Sequence, residues 1–229
     1  MNKRRAAVIT ATLFILAYAI ALSLATDRIF LHTAAAPGRE QRAALAIRDN
    51  VTPFQKWGTD LFTRGYLKRY YGASWYFTQS KRGDQEEEFV ACLNKALEQY
   101  PAVDLYFLAH TNQYIRWVAR LPEERRQRLR LVYNTGCYNL PQGPDWLKLG
   151  AKTYVGHPGQ SSSEVFYYFF LRRWTRGYPL QRALHESNEH MEAVFRRLQT
   201  ITRGRVNADW LFKESKAVCY GDAHVRIGE

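Results

Sequence analysis

The chain has 229 residues, enough for one sizeable hydrophobic core, or for one domain together with a membrane anchor. Hydrophobic residues make up 46% of the sequence and charged residues 24%, a composition that excludes an intrinsically disordered protein. The formal net charge of +12 favours acidic partners, which include nucleic acid, anionic lipid headgroups and acidic protein surfaces, without choosing among them.

The first 25 residues predict a membrane-targeting segment. Residues 1–5 form a short stub with three cationic side chains, and residues 6–25 contain no charge. About 20 apolar residues in a helix span the hydrocarbon core of a bilayer, whereas a cleaved secretory signal has a shorter apolar region. We therefore expect a retained single-pass anchor, with a signal cleaved after Ala25 as the alternative. In both cases the stub stays cytoplasmic, and the domain is membrane-bound or secreted on the periplasmic or extracellular side.

Residues 26–56 are rich in alanine and predict a spacer with some helix, followed by one α/β domain over residues 57–229. Short apolar runs bounded by turn residues predict strands, and runs with helical apolar spacing predict helices. Asp84 is expected to cap one helix, and Ser161 with Glu164 to form a capping box on another. The strands are expected at residues 73–79, 103–110, 130–134, 152–156 and 217–220, and the helices at 85–100, 112–129, 145–150, 161–177 and 179–199.

Strands that alternate with helices predict a mainly parallel sheet flanked by helices on both faces. In such sheets, ligands bind beyond the carboxyl ends of the strands. The sequence has no glycine-rich phosphate loop of either common type, so nothing in it supports nucleotide binding.

The three cysteines differ in their surroundings. Cys92 has helical spacing from apolar residues and Cys219 lies in an apolar strand, so both are expected to be small buried side chains. Cys137 instead follows Thr135 and Gly136 at the end of a predicted strand. An odd number of cysteines leaves at least one thiol free, and Cys137 is placed to present that thiol at the edge of a site.

A second strand end carries His110. If the two strands are neighbours, His110 and Cys137 project from the same edge of the sheet, as a cysteine nucleophile and its base require. The backbone N–H groups of Thr111 and Cys137 could then stabilise an oxyanion. A cysteine at this position is equally compatible with a small core residue, and one histidine with one cysteine is a weak signal.

The order of these motifs resembles that of the caspase-like (clan CD) cysteine peptidases, especially the gingipain-like and CHAT-type domains. Those proteins have a strand ending in histidine, a helix, and a strand ending in cysteine after small residues. Later motifs also match, namely "LGAKTYVGHPG", "RGYPLQRALHES" and the turn that ends in Gly221-Asp222. The resemblance extends from Ser74 to Ile227. It implies a caspase-like three-layer sandwich in which His110 and Cys137 hydrolyse a peptide bond.

One position departs from the family pattern. The family has glycine directly after the catalytic histidine, whereas this chain has Thr111 and then Asn112. Threonine still offers its N–H group, but its β-branch crowds the site. Asn112, Gly136 and His157 are expected to line the cleft.

Two functions remain open at this point. The first is a membrane-anchored or exported cysteine peptidase, or a related transpeptidase, that acts on a peptide or protein substrate without a cofactor or metal. His185 and His190 lie five residues apart, which does not suit a metal pair on one helix face. The alternative is a catalytically inactive interaction module on the same scaffold that binds an acidic partner or membrane headgroups. The expected location of the domain beyond the membrane argues against nucleic acid as a partner. The sequence leaves the oligomeric state unknown.

Overall fold

The computed structural model describes residues 35–161 and 163–229, without the side chains of residues 54 and 163–168. The predicted stub and anchor at residues 1–25, and the capping role of Glu164, therefore lie outside the described part of the chain. Within those ranges, no helix has both the length and the apolar character needed to cross a bilayer.

The described residues alternate between strands and helices. The strands are β1 (Arg42–Arg48), β2 (Ala73–Thr78), β3 (Ala102–Leu108), β4 (Leu129–Asn134), β5 (Thr153–Gly156) and β6 (Val218–Gly221). The helices are α1 (Pro53–Thr59), α2 (Gly65–Tyr70), α3 (Glu86–Gln99), α4 (Gln113–Ala119), α5 (Glu123–Arg126), α6 (Gly143–Lys148), α7 (Ser163–Trp174), α8 (Leu180–Ile201) and α9 (Ala208–Ser215). A π-helical turn, Asp60–Arg64, joins α1 to α2, and 3₁₀ turns lie at Arg39–Gln41 and Leu140–Gln142.

The six strands form one sheet in the order β2-β1-β3-β4-β5-β6. The first five of these are parallel, and β6 runs antiparallel to β5. The predicted α/β class, with a mainly parallel sheet flanked by helices, is confirmed. Because β3 and β4 are neighbours, the two strands that precede His110 and Cys137 end side by side at the same edge.

Helices cover both faces of the sheet, which explains why β1, β3 and β4 are buried along almost their whole length. On one face, Phe107 packs its ring 4.8 Å from Tyr114 of α4 and 5.4 Å from Trp146 of α6. On the other face, Tyr133 of β4 lies 4.8 Å from the ring of Phe170 in α7.

The second face also contains a buried ion pair. Arg130 donates two hydrogen bonds of 2.9 Å to the carboxylate of Asp104, which also accepts the indole N–H of Trp174 at 3.2 Å. Arg130 reaches the carbonyl of Ile227 as well, as does Arg42 from the start of β1. Charges buried at this depth need full pairing, and this cluster ties β1, β3, β4 and α7 to the segment after β6.

The prediction of a spacer over residues 26–56 is wrong for its second part. Strand β1 lies within that interval and pairs with both β2 and β3, so the compact unit begins at residue 35 and not at residue 57. Thr52 and Gln55 also form a capping box at the start of α1. The run of alanines in β1 favours a helix by intrinsic propensity, but its two buried faces and two strand neighbours override that preference.

Three helix predictions also need correction. The predicted helix at residues 112–129 is two helices, because Pro122 cannot continue α4 and instead precedes α5. Asp84 does not cap α3. Its carboxylate accepts hydrogen bonds from the N–H groups of Ser80 and Lys81 and so closes the preceding turn. Helix α9 has no counterpart in the sequence prediction.

Candidate active site

The carboxyl ends of β3 and β4 touch immediately before His110 and Cys137. In the parallel ladder Phe107 lies opposite Asn134, and the N–H of Thr135 donates to the carbonyl of Phe107 at 2.8 Å. Two residues further along, a Cβ added to Gly136 would stand 1.7 Å from the carbonyl oxygen of Ala109. His110 and Cys137 each lie three residues beyond the last pair of this ladder, on adjacent strand ends, at the edge where parallel α/β sheets bind ligands.

Gly136 is thus required for contact between the two strand ends and does not simply line the cleft, since it is fully buried. Its N–H donates to the side-chain oxygen of Asn134 at 2.9 Å. Its carbonyl accepts a hydrogen bond of 2.6 Å from the amide of Asn139, and the other end of that amide accepts the N–H of His157. The turn that carries Cys137 is therefore fixed on both sides by side-chain amides.

Cys137 is half-buried, and its Sγ accepts the backbone N–H of Ser161 at 3.5 Å. Ser161 lies two residues before the first residue of α7, in the loop that follows β5. The sulfur is therefore held against the loop that leads into α7.

The three cysteines are all free thiols. Burial raises the pKa of Cys92 to about 11, and burial also raises the pKa of Cys219. Neither of these two thiols is ionised to a useful extent at neutral pH, but both side chains are half-buried and not fully buried as the sequence predicts.

His110 has an exposed side chain, and an acidic residue holds its backbone. The N–H of His110 donates to Oδ2 of Asp49 at 3.0 Å, while the N–H of Asp49 donates to the carbonyl of Leu108 at 3.0 Å. The second carboxylate oxygen of Asp49 accepts the amide of Gln79 at 2.8 Å and the hydroxyl of Tyr114. Asp49 therefore fixes the histidine-bearing loop to the ends of β1 and β2.

The hydroxyl of Tyr114 remains a donor at any physiological pH. Burial, with the charge of Asp49 as a second cause, raises the pKa of Tyr114 far above its ordinary value of 10.0. Sequence reasoning missed the role of Asp49 because the strand that presents it had been assigned to a spacer.

Two backbone donors remain available beside the pair. Within the described part of the chain, neither the N–H of Thr111 nor the N–H of Cys137 has a hydrogen-bond partner. The N–H of His110, by contrast, is occupied by Asp49. These are the two groups that the sequence proposed for an oxyanion. The Oγ1 atom of Thr111 is buried and likewise has no partner in the described ranges.

A cleft of about 170 Å³ adjoins this edge at the ends of β1, β2 and β3. It is lined by Asp49, Asn50, Gln79, Lys81, Arg82, Thr111 and Gln113. Asn112 is exposed next to Thr111, but it is not among the residues that line this cleft.

His157 does not line the cleft, contrary to the expectation from sequence. The side chain is fully buried, and Nδ1 lies 2.7 Å from the carbonyl of Ser215, to which it donates. Burial lowers the pKa of His157 to about 4, so the imidazole is neutral at pH 7. Its ring stacks on Tyr133, with 6.0 Å between the ring centroids. His157 thus joins the end of β5 to the loop before β6.

No protein-family model matches this chain, and no curated protein is significantly similar to it. This is an α/β protein with a mainly parallel sheet, and one histidine and one cysteine follow two adjacent strand ends of that sheet. The resemblance to caspase-like peptidases rests on the ordered motifs alone.

Proposed function

We propose that this protein is a cysteine peptidase of caspase-like fold in which His110 and Cys137 form the catalytic dyad. The observation that carries the proposal is the backbone contact between Ala109 and Gly136, which brings the two strand ends together directly before the reactive residues. A thiol and an imidazole on adjacent strand ends, at the ligand-binding edge of a parallel sheet, match the requirements of nucleophilic catalysis.

The reaction begins when the imidazole of His110 takes the proton of the Cys137 thiol. The thiolate attacks the scissile carbonyl carbon, and the C=O electron pair moves to oxygen, where the N–H groups of Thr111 and Cys137 receive the charge. The C–N bond then breaks, His110 returns the proton to the leaving amine, and a thioester remains on sulfur. Water activated by the same imidazole hydrolyses the thioester, whereas an amine in its place would give transpeptidation.

The surroundings of the dyad support this sequence of steps. Ser161 donates its N–H to the sulfur, and this contact holds the thiol next to the end of β4. Asp49 occupies the N–H of His110, so the next donor along the chain, Thr111, is the one left free for substrate. Threonine in place of the family's glycine therefore keeps the required N–H group, although its side chain narrows the approach.

We also propose that residues 6–25 hold the domain at a membrane, with the catalytic edge on the periplasmic or extracellular side. The absence of charge over those 20 residues and the cations before them support this placement.

Digestion of a mixed peptide library, read by mass spectrometry, tests the proposed reaction. The wild-type protein is expected to produce new peptide termini, and Cys137→Ala and His110→Ala to abolish them. Cys92→Ala is the matched control, because it removes a half-buried thiol on α3, outside the site, and should leave cleavage unchanged.

Two results would contradict the proposal. Cleavage that survives Cys137→Ala would place the activity elsewhere. No cleavage by the wild-type protein, together with saturable binding of acidic peptides that is indifferent to both substitutions, would favour the inactive interaction module.

A further inference from the structure

Tyr138 follows the candidate nucleophile directly and points a large ring into solvent. Its relative exposure is 61%, and among the large hydrophobic residues that are exposed in the described ranges it is the one that adjoins Cys137. A single exposed aromatic side chain is ordinary on a protein surface, so it is the position of Tyr138, directly after the candidate nucleophile, that sets it apart.

The backbone of Tyr138 is held in an uncommon conformation. Its φ of 53° is in the left-handed region, which is strained for a residue other than glycine. Its N–H donates to the carbonyl of Gly159 at 3.0 Å, so the loop after β5 fixes this conformation. Within residues 35–161 and 163–229, the other non-glycine residue with a positive φ is Arg203, which follows the C-terminal end of α8, where the left-handed conformation is ordinary.

The ring of Tyr138 does not hold the fold together. In the described part of the chain it takes part in no ring pair and no cation–π contact, and its hydroxyl makes no hydrogen bond. A strained backbone that directs an unused aromatic ring outward beside a nucleophile is typical of a residue that contacts a ligand.

We propose that Tyr138 forms one wall of the substrate site and packs against an aromatic or large apolar side chain next to the scissile bond. This inference rests on the proposed function. A peptide whose carbonyl carbon reaches Cys137 must pass the next residue in the chain, so its neighbouring side chains meet this ring. A basic substrate residue could also approach the ring face, but the net charge of +12 disfavours it.

Two peptidyl chloromethyl ketones that differ only in having phenylalanine or alanine at the reactive residue provide the test. Each alkylates a cysteine directly, so the comparison does not need turnover. Labelling of Cys137 is measured by mass spectrometry as a second-order rate constant for the wild type, Tyr138→Phe, Tyr138→Ala and His110→Ala. Iodoacetamide, which has no side chain to recognise, reports whether the thiol itself is intact in each variant.

The wild-type protein is expected to prefer the phenylalanine probe, and Tyr138→Ala to lose about tenfold of that preference, as the loss of one aromatic contact predicts. Tyr138→Phe keeps the ring and should keep the preference. The iodoacetamide rate should stay within about twofold in both Tyr138 variants, because the hydrogen bond to the sulfur comes from the backbone of Ser161 and not from Tyr138.

An equal rate for the two probes in the wild type, or a preference that survives Tyr138→Ala, would overturn the inference. Failure of the proposed function gives a different pattern, in which iodoacetamide labels Cys137 equally fast with and without His110. The two failures are therefore distinguishable in the same set of measurements.

Discussion

Replacing Gly136 with alanine is the sharpest perturbation of the site that the structure offers. The new Cβ would stand 1.7 Å from the carbonyl oxygen of Ala109, whereas ordinary contacts begin at 3.4 Å. The obstacle is backbone and not the end of a flexible side chain. One strand end must therefore move away from the other by about 1.7 Å, and the two residues that move apart are His110 and Cys137.

The size of both effects follows from this displacement. Overpacking a well-ordered core costs typically about 1–3 kcal/mol, and a backbone obstacle in the centre of the sheet belongs at the upper end of that range. For a chain of this length, about 3 kcal/mol lowers the midpoint of thermal unfolding by roughly 6–12 °C. A misplacement of about 1 Å at a reacting centre costs on the order of 100-fold in rate, so cleavage should fall by at least that factor.

Thermal unfolding and peptide cleavage, measured on the same preparations of Gly136→Ala, check the two effects. The matched control is Gly228→Ala, whose added Cβ meets only the carbonyl of Pro37 at 3.6 Å. The control should change neither quantity measurably. A Gly136→Ala protein with wild-type unfolding and wild-type cleavage would refute the claim that contact between the strand ends creates the site.

Three further outcomes are expected. Because folding lowers the pKa of His157 from 6.5 to about 4, the unfolded chain binds a proton first as the pH falls. Stability should therefore drop by about 3 kcal/mol between pH 6.5 and pH 4 in denaturant titrations, and His157→Asn should remove that drop. Asp104→Ala leaves a buried guanidinium unpaired and should lower the free energy of unfolding by about 3–5 kcal/mol, whereas the exposed Arg120→Ala should leave it unchanged. Asp49→Ala should slow cleavage about tenfold through kcat with KM retained, and Asp49→Asn, which keeps an acceptor for the N–H of His110, should restore most of the rate. Equal loss in both variants would contradict this role for Asp49.

The sequence predicted the sheet well where strands read as short apolar runs. The interval 103–110 and the run before Asn134 are such cases, because strands buried on both faces need apolar side chains at nearly every position. Strand β1 was not predicted, although it is buried on both faces as well, because several of its apolar residues are alanines. Its alanines are small enough for a crowded sheet centre, and small residues carry little strand preference of their own.

The candidate site shows a similar division. His110 and Cys137 could be predicted because each ends a recognisable strand, and parallel neighbours end at one edge. The burial of His157 could not be predicted, since it depends on the carbonyl of Ser215, far along the chain. A histidine in a Gly-His-Pro turn reads as exposed until the loop that covers it is known. The role of Asp49 could not be predicted either, because the residue directly follows β1, which the sequence did not predict as a strand.

The most direct test of the dyad is the rate at which iodoacetamide alkylates Cys137 at pH 7 in the wild type and in His110→Ala, followed by mass spectrometry. The account predicts a rate that falls at least tenfold when the imidazole is removed, because His110 takes the thiol proton. Cys92 in the same molecules should react slowly and equally in both proteins, since burial raises its pKa to about 11. A Cys137 rate that is indifferent to His110 would contradict the dyad and leave the fold without the proposed chemistry.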